Sequence, residues 1–496
     1  MSEKAVLVVG AGIGGLSLAS LLANRGLKVR VLEKNSSVGG RARIWQSSGF
    51  TFDMGPSWYL MPEVFETFFE SLGTRRESLY PLQKLNPSYR VFFSPDEQVD
   101  MVVDEAKNFA TFEGFEPGGG FQLRRYLADA RSKYETAMSE FVYKEYSSPL
   151  QFLNRRMLVE GAKLNVLGSL DRHVRRYFRD RRSRQILEYH MVFLGSSPYN
   201  APGMYAIMSH VDLSQGVFYP RGGIGTLVNS LEKVALSAGV EILLDHEVTG
   251  IEASGRRVRR LRVDGKGAFD ADIVAVNADY AFTETRLIDA PYRSYPERFW
   301  KRRVLAPSFF ILYLGLSKKL SRPLHHTLYL APDWERHFDD IFHRPAWPTR
   351  PCFYLSCTSK SDPSVAPTGC ETVTILVPVA SGLDDTDDER RRYRDHLIRH
   401  VETVIGETLE DSIVVERTFS GRDFISDYNA YRGTGLGLAH TLFQTAVFRP
   451  SQGSRKLENL FYTGAYTHPG VGVPMTLISS QIAAKKIAAL CNGAQE

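Results

Sequence analysis

Residues 6–42 constrain the fold of this chain more than any other stretch. Val6-Leu7-Val8-Val9 reads as an apolar strand, and Gly10-Ala11-Gly12-Ile13-Gly14-Gly15 as a glycine turn opening an apolar helix. Val29-Arg30-Val31-Leu32-Glu33-Lys34 then reads as a second strand ending in a carboxylate, and Val38-Gly39-Gly40-Arg41-Ala42 as a second glycine turn. Gly10 permits the tight turn, Gly12 lets the backbone approach a pyrophosphate, and Gly15 lets the helix lie close to the sheet, with Gly14 beside it. Phosphate oxygens would face the helix N-terminus, where unpaired N–H groups and the helix dipole favour negative charge. Glu33 follows at the spacing of about twenty residues expected of a carboxylate that accepts hydrogen bonds from an adenosine ribose, with Lys34 next to it. The agreement of strand, turn, helix and acidic strand end predicts a dinucleotide site.

The second glycine turn chooses between dinucleotides. Gly40 and Arg41, just beyond the ribose carboxylate, offer backbone amides and a guanidinium to the second phosphate and flavin end of FAD. A nicotinamide cofactor has no evident need of them. Gly49-Phe50-Thr51-Phe52-Asp53-Met54-Gly55-Pro56-Ser57 continues as an alternating strand running into a turn, with Gly55, Pro56 and Ser57 on the cofactor side. This N-terminal stretch resembles the flavoprotein superfamily of amine oxidases, protoporphyrinogen oxidases and carotenoid desaturases. The fold it implies is α/β: a Rossmann-like FAD-binding domain with an interleaved α+β substrate domain.

At 496 residues the chain is expected to form more than one domain. Its 61 basic and 56 acidic side chains give +5, too even a balance to argue for nucleic acid. Cys352, Cys357, Cys370 and Cys491 have neither paired nor metal-ligand spacing, and His325-His326 lacks a second ligand pair, so no metal is expected. No signal peptide is read at Met1-Ser2-Glu3-Lys4, and no window offers the roughly twenty apolar residues of a membrane span. The expected location is cytoplasmic, with peripheral membrane contact.

The FAD-binding domain is expected to be discontinuous, from residues 1–73, 215–290 and 449–496, with a substrate-binding and membrane-contacting domain from 74–214 and 291–448. Residues 121–146 and 149–190 carry the longest helical periodicity in the latter. Strands are expected at 240–244, 247–251, 258–263, 272–276, 309–314 and 372–379, and helices at 227–238, 387–405 and 475–490. The flavoprotein resemblance implies that the backbone of Val248 meets adenine.

Residues 459–474, Asn-Leu-Phe-Tyr-Thr-Gly-Ala-Tyr-Thr-His-Pro-Gly-Val-Gly-Val-Pro, form the most specific stretch. They read as a strand, a glycine- and proline-rich turn and a helix start, so Gly464, Gly472, Val473, Pro474 and Met475 can meet the flavin pyrimidine, whose N1 and O2 are negative once reduced. THPGVGVP, FYPRGGIGTL, FTFDMGPS and Leu324-His325-His326-Thr327 together resemble the bacterial-type carotenoid desaturases, the phytoene desaturase family. Residues 364–370 and 443–450 add further matches in family order, covering essentially the whole chain. The resemblance implies FAD held without a covalent bond, a long acyclic carotenoid such as phytoene as substrate, and oxygen or a quinone as electron acceptor. Tyr466 departs from the family pattern, where Gly or Ser is common.

Hydride loss to flavin N5 from a CH2–CH2 unit flanked by double bonds leaves an allylic cation, which then loses a proton. This chemistry asks for an apolar tunnel. Phe65, Phe68, Phe69, Phe141, Phe152 and Phe193 are candidate lining, as are Phe309, Phe310, Tyr313 and Tyr329. No nucleophile–base or paired-carboxylate arrangement is visible; the flavin, a bound water and a polar side chain stay open as proton acceptor, with Lys144, Glu145, Arg155 and His468 the candidate side chains. The basic stretch from Arg155 to Arg184, interleaved with residues such as Leu170, Val174, Tyr177 and Phe178, is the candidate membrane face. A late-pathway 3,4-desaturase, a C30 desaturase, a carotenoid isomerase, an amine oxidase and a flavin-binding subunit stay open as alternatives.

Overall fold

A computed structural model describes residues 4–144 and 164–493. A five-stranded parallel sheet has the order Leu460–Tyr462, Ile273–Val276, Ala5–Val9, Lys28–Leu32, Glu241–Leu243. The helix Ile13–Ala23 is buried around its whole circumference from Ile13 to Leu22, as its uniformly apolar sequence requires. It packs between the helices Ile224–Ser237 and Val473–Gly493, and their apolar faces meet strand residues Val6, Val8 and Ile273 in one core.

A second sheet has seven strands, in the order Ile413–Phe419, Ser308–Leu316, Glu371–Val379, Phe353–Ser356, His326–Tyr329, Tyr89–Ser94, Glu97–Met101. Its pairs are antiparallel except His326–Tyr329 with Tyr89–Ser94. Ser308–Leu316 is buried at every position, its alternate side chains entering two cores. Phe310, Leu312 and Leu314 meet the helix Asp387–Ile405 on one side, and Phe309, Ile311 and Tyr313 meet Phe50 and Phe52 on the other.

The latter two belong to the hairpin Ile44–Ser47 and Phe50–Asp53, which joins the two sheets. At its end Asp53 accepts the backbone N–H groups of Ile224 (3.0 Å) and Gly225 (3.1 Å), capping the helix Ile224–Ser237. Burial outweighs these donors and pushes the Asp53 carboxyl up to about 6.

The two longest expected helices are shorter than their periodicity. Gly119–Thr136 is α-helical, but Ala137–Val142 widens into a π-helical turn that ends the element. In 149–190, the described part contains Leu170–Val174, Arg181–Glu188 and His190–Phe193. New helices begin where Ser169 and Asp180 side chains accept the N–H groups of Arg172 and Arg182, local caps that periodicity does not register. No helix among the described residues is long and apolar enough to cross a membrane.

Candidate active site

The two glycine turns lie against one another beyond the C-terminal ends of the parallel strands. Gly39 N–H donates to Ala11 O (2.8 Å) and Gly10 N–H to Leu32 O (2.8 Å). Gly10 has φ +95°, Gly39 +105° and Gly40 +54°, backbone that glycine adopts without penalty. Gly10, Gly12, Gly14 and Gly40 line a cavity of about 1130 Å³. Gly15 lies beneath it: a Cβ there would fall 1.9 Å from Gly10 O, so its task is the close approach of helix to strand. Cβ atoms on Gly12 and Gly14 would meet the Asn277 side chain at 2.9 and 2.3 Å. Asn277 ends the strand Ile273–Val276 and lines the same cavity, a residue that the spacing of the glycines does not announce.

Glu33 is buried on the cavity wall. Its Oε2 accepts Ala11 N–H (2.7 Å) and its Oε1 accepts Asn35 N–H (3.0 Å) and Nδ2–H (2.9 Å), so the carboxylate also ties strand end to glycine turn. Lys34 Nζ donates to Ser426 O (2.7 Å), anchoring the helix Gly421–Tyr428. Gly55, Pro56, Ser57 and Val248 line the cavity as well. Ser57 Oγ lies 2.8 Å from the Tyr354 hydroxyl, which is 2.6 Å from His326 Nδ1. The His326 ring stacks on Trp58 at 4.6 Å, and burial pushes neighbouring His325 down to about 3.

Gly464, Gly472, Val473, Pro474 and Met475 line the cavity beside the first glycine turn. The helix starts at Val473, two residues before the sequence expectation, with Thr476 N–H on Gly472 O (2.9 Å). Ser480 Oγ–H donates to Gly14 O (2.9 Å), pinning this helix to the first glycine turn. Tyr466 donates its hydroxyl to buried Asp279 (2.7 Å). Burial raises the Asp279 carboxyl while Arg41 opposes the rise. Buried Arg449, another residue that sequence reasoning missed, donates to Ala465 O (2.7 Å) and holds the turn from behind.

His468 lines the cavity, and its Nε2–H donates to Phe141 O and Val142 O, 3.1 Å each. It therefore ties the glycine turn to the π-helical turn. Lys144 is not brought to the cavity: its side chain is 54% exposed and pairs with Glu140 at 3.3 Å. Glu145 and Arg155 lie outside the described residues, as does Phe152. Phe141, Phe193 and Phe309 line the cavity. Phe65, Phe68, Phe69, Phe310 and Tyr313 are core instead, and Tyr329 borders a separate small cavity.

The described part of the basic block also differs from expectation. Arg175 pairs with Asp171 (2.8 Å) and Arg182 with Asp180 (2.9 Å) and Glu97 (2.5 Å). Leu170, Val174 and Phe178 turn into the core, because the apolar stripe finds the helix Gly119–Thr136 to pack against.

The chain matches the family of flavin containing amine oxidoreductases over residues 13–488. It is 43% identical over 488 residues to a carotenoid 3,4-desaturase of Haloarcula japonica, covering 98% of each chain. It is 34% identical to a zeta-carotene-forming phytoene desaturase of Myxococcus xanthus, covering 98% of this chain and 94% of that one. The chain belongs to the carotenoid desaturase family. Among solved structures, an oxidoreductase from Methanosarcina mazei superposes with TM-score 0.62 at 14% identity, over 97% of this chain and 100% of that one. Putrescine oxidase bound to putrescine gives 0.62 at 14%, over 98% and 99%. At such identities these two show the shared flavoprotein fold alone.

As a carotenoid desaturase family member the chain is an FAD-dependent oxidoreductase. Its residues fit that cofactor. Arg41 lines the cavity; its Nε and Nη2 are buried and without a hydrogen-bond partner among the described residues, with Asp279 4.0 Å from Nη2 as ion-pair partner, and they are donors suited to a phosphate. Glu33 retains lone-pair capacity beyond its three protein donors.

Proposed function

We propose that this desaturase removes hydrogen from a long acyclic carotenoid such as phytoene. The observation that carries the reading is one cavity lined both by the glycine turns and by the apolar side chains of Phe141, Met204, Met208, Phe309 and Leu436. When bound, FAD supplies the hydride acceptor. Gly10, Gly12, Gly14, Gly40 and Arg41 hold its phosphates, Glu33 its ribose, Val248 its adenine end, and Gly464 with Gly472 to Met475 its ring. His468 holds the π-helical turn against that ring site, and the apolar walls keep water from a developing cation. The strands grouped in the parallel sheet form the FAD part and those in the seven-stranded sheet the substrate part.

The cavity rim supports substrate entry from a membrane surface. Leu167 is 89% exposed, Phe443 70% and Phe448 46%; Leu167 and Phe448 line the cavity, and the two Phe rings contact at 5.8 Å. Exposed apolar side chains at a mouth suit insertion into lipid, whereas Arg175 and Arg182 of the basic block are engaged with protein carboxylates. Oxygen or a quinone would reoxidise the cofactor.

A late-pathway 3,4-desaturation is the second reading, favoured by the 43% identity to the Haloarcula japonica protein. Expression in cells that accumulate phytoene, and separately in cells that accumulate its fully desaturated acyclic product, tests both. The leading reading expects phytoene products lighter by two hydrogens per step. Conversion of the later carotenoid alone selects the second reading, and products of unchanged mass contradict both.

A further inference from the structure

His190 and Asp212, 22 residues apart, meet in the interior. His190 is buried in the cavity wall, on the short helix His190–Phe193, beside Phe193, Leu194 and Val211. Its Nε2–H donates to Asp212 Oδ2 at 3.1 Å. The same oxygen accepts the hydroxyls of Tyr89 (2.6 Å) and Tyr189 (3.1 Å), and Asp212 is fully buried. Burial, then the Asp212 charge, hold both phenols well above their ordinary range, so they stay donors. Three donors converging on a carboxylate oxygen fix the imidazole in the Nε2–H tautomer and leave the lone pair on Nδ1. That Nδ1 is buried and has no hydrogen-bond partner among the described residues.

The other histidines lining the cavity are arranged differently. His246, His440 and His468 each give a ring N–H to backbone carbonyls, of Leu244 (2.6 Å), Leu194 (2.6 Å), and Phe141 with Val142 (3.1 Å). Burial and the Arg449 guanidinium further oppose a proton on His440. Of these four, His190 alone is backed by a carboxylate that would offset the charge of an imidazolium.

We propose that His190 Nδ1 accepts the proton lost by the substrate, with Asp212 positioning the ring and balancing its charge. This rests on carotenoid desaturation as the reaction. One C–H bond breaks with its electron pair leaving as hydride to the bound oxidised flavin. The neighbouring C–H bond breaks with its pair entering the new C=C bond and its proton passing to Nδ1. The substrate thereby loses two hydrogens and two electrons, and the imidazolium returns its proton to solvent before the next turnover. Asp212 is a positioning residue; His190 is the catalytic one.

Two measurements test this on the full chain with FAD bound. In 15N-histidine spectra, with the His190 signal identified by its loss in His190→Gln or His190→Gly, the wild type is expected to show Nε2 protonated and Nδ1 bare before any substrate is added. In anaerobic mixing with the carotenoid that the wild type converts, His190→Gln is expected to keep its flavin and its Tm yet reduce that flavin about 100-fold more slowly. His190→Gly should recover part of the rate with added imidazole, and Asp212→Asn should slow reduction while its His190 signal moves away from the wild-type tautomer. Protonated Nδ1 in the wild type, or wild-type flavin reduction by a folded His190→Gln, would overturn the proposal. If no carotenoid reduces the wild-type flavin, the desaturase reading fails instead, and the tautomer measurement still decides the geometry. If His190→Gln does not fold, the imidazole-dependence of His190→Gly and the tautomer decide the matter: no rescue and a protonated Nδ1 both count against it.

Discussion

The parallel-sheet half and the seven-stranded half of the molecule reach one cavity by different means. In the first, Gly10, Gly12, Glu33, Gly40 and Arg41 fall within about one βαβ unit, so the backbone itself shapes the site. In the second, the groups that meet are far apart in sequence: Tyr89 reaches Asp212 across 123 residues and Gln185 reaches Ala331 across 146. A site made of backbone tolerates few substitutions at its glycines, whereas one made of side chains on a deep apolar wall can change its preferences residue by residue. Tyr466 sits at the meeting of the two, its hydroxyl on Asp279 and its ring edge-on to Trp300 at 6.0 Å.

The largest effect is expected at the backbone half. Gly15→Val places side-chain carbon where Gly10 O already lies at 1.9 Å from the first added atom. Backbone atoms cannot turn aside, so loss of folded protein and of bound flavin is expected, read by soluble yield and flavin-to-protein ratio. A stable, yellow Gly15→Val would break the contrast.

Next in size is a pH effect at the hairpin joining the halves. Asp53 rises from its ordinary 3.8 to about 6, so between those values the folded state holds a proton that the unfolded chain releases. Stability from this group is full below about pH 4 and falls as pH rises through about 6, by on the order of 3 kcal/mol. Asp53→Asn should remove that fall, seen as a difference in denaturant midpoints from wild type that changes between pH 4 and 7. A difference constant with pH contradicts the assignment.

Arg41→Met tests the phosphate role within the backbone half. Loss of charge-assisted hydrogen bonds costs about 1.5–3 kcal/mol, or roughly 10- to 150-fold in FAD affinity by titration of the apoprotein. Unchanged affinity would remove Arg41 from the cofactor site. The smallest effect is expected for Lys144→Ala, which deletes an exposed ion pair. Stability should move by less than about 0.5 kcal/mol, and flavin reduction should keep its wild-type rate. A slowed reduction would return Lys144 to the reaction.

The same contrast explains what was legible in the sequence. The glycine turns, Glu33 and the strand–turn–helix at 460–475 depend on neighbours within a few residues, so their spacing predicts them. Asn277 was not legible, because its part is to fill the space above Gly12 and Gly14, which only the folded contact reveals. In the basic stretch, periodicity marks an apolar stripe without saying whether core or lipid covers it, and Leu170, Val174 and Phe178 are covered by core. Likewise Asp212 and His190 stand in no recognisable motif, since a helix break and a π-helical turn at Val211–Gln215 bring them together.

The central claim is that one cavity holds flavin and polyene together so that hydrogen passes between them. Anaerobic mixing of the purified, flavin-loaded protein with phytoene in vesicles, followed by absorbance of the flavin and mass of the carotenoid, tests it most directly. The flavin should bleach in step with the appearance of a carotenoid two hydrogens lighter, and deuterium on the reacting carbons should slow the bleaching. Bleaching without loss of hydrogen from the carotenoid, or a geometric isomer of unchanged mass as the product, would contradict the account.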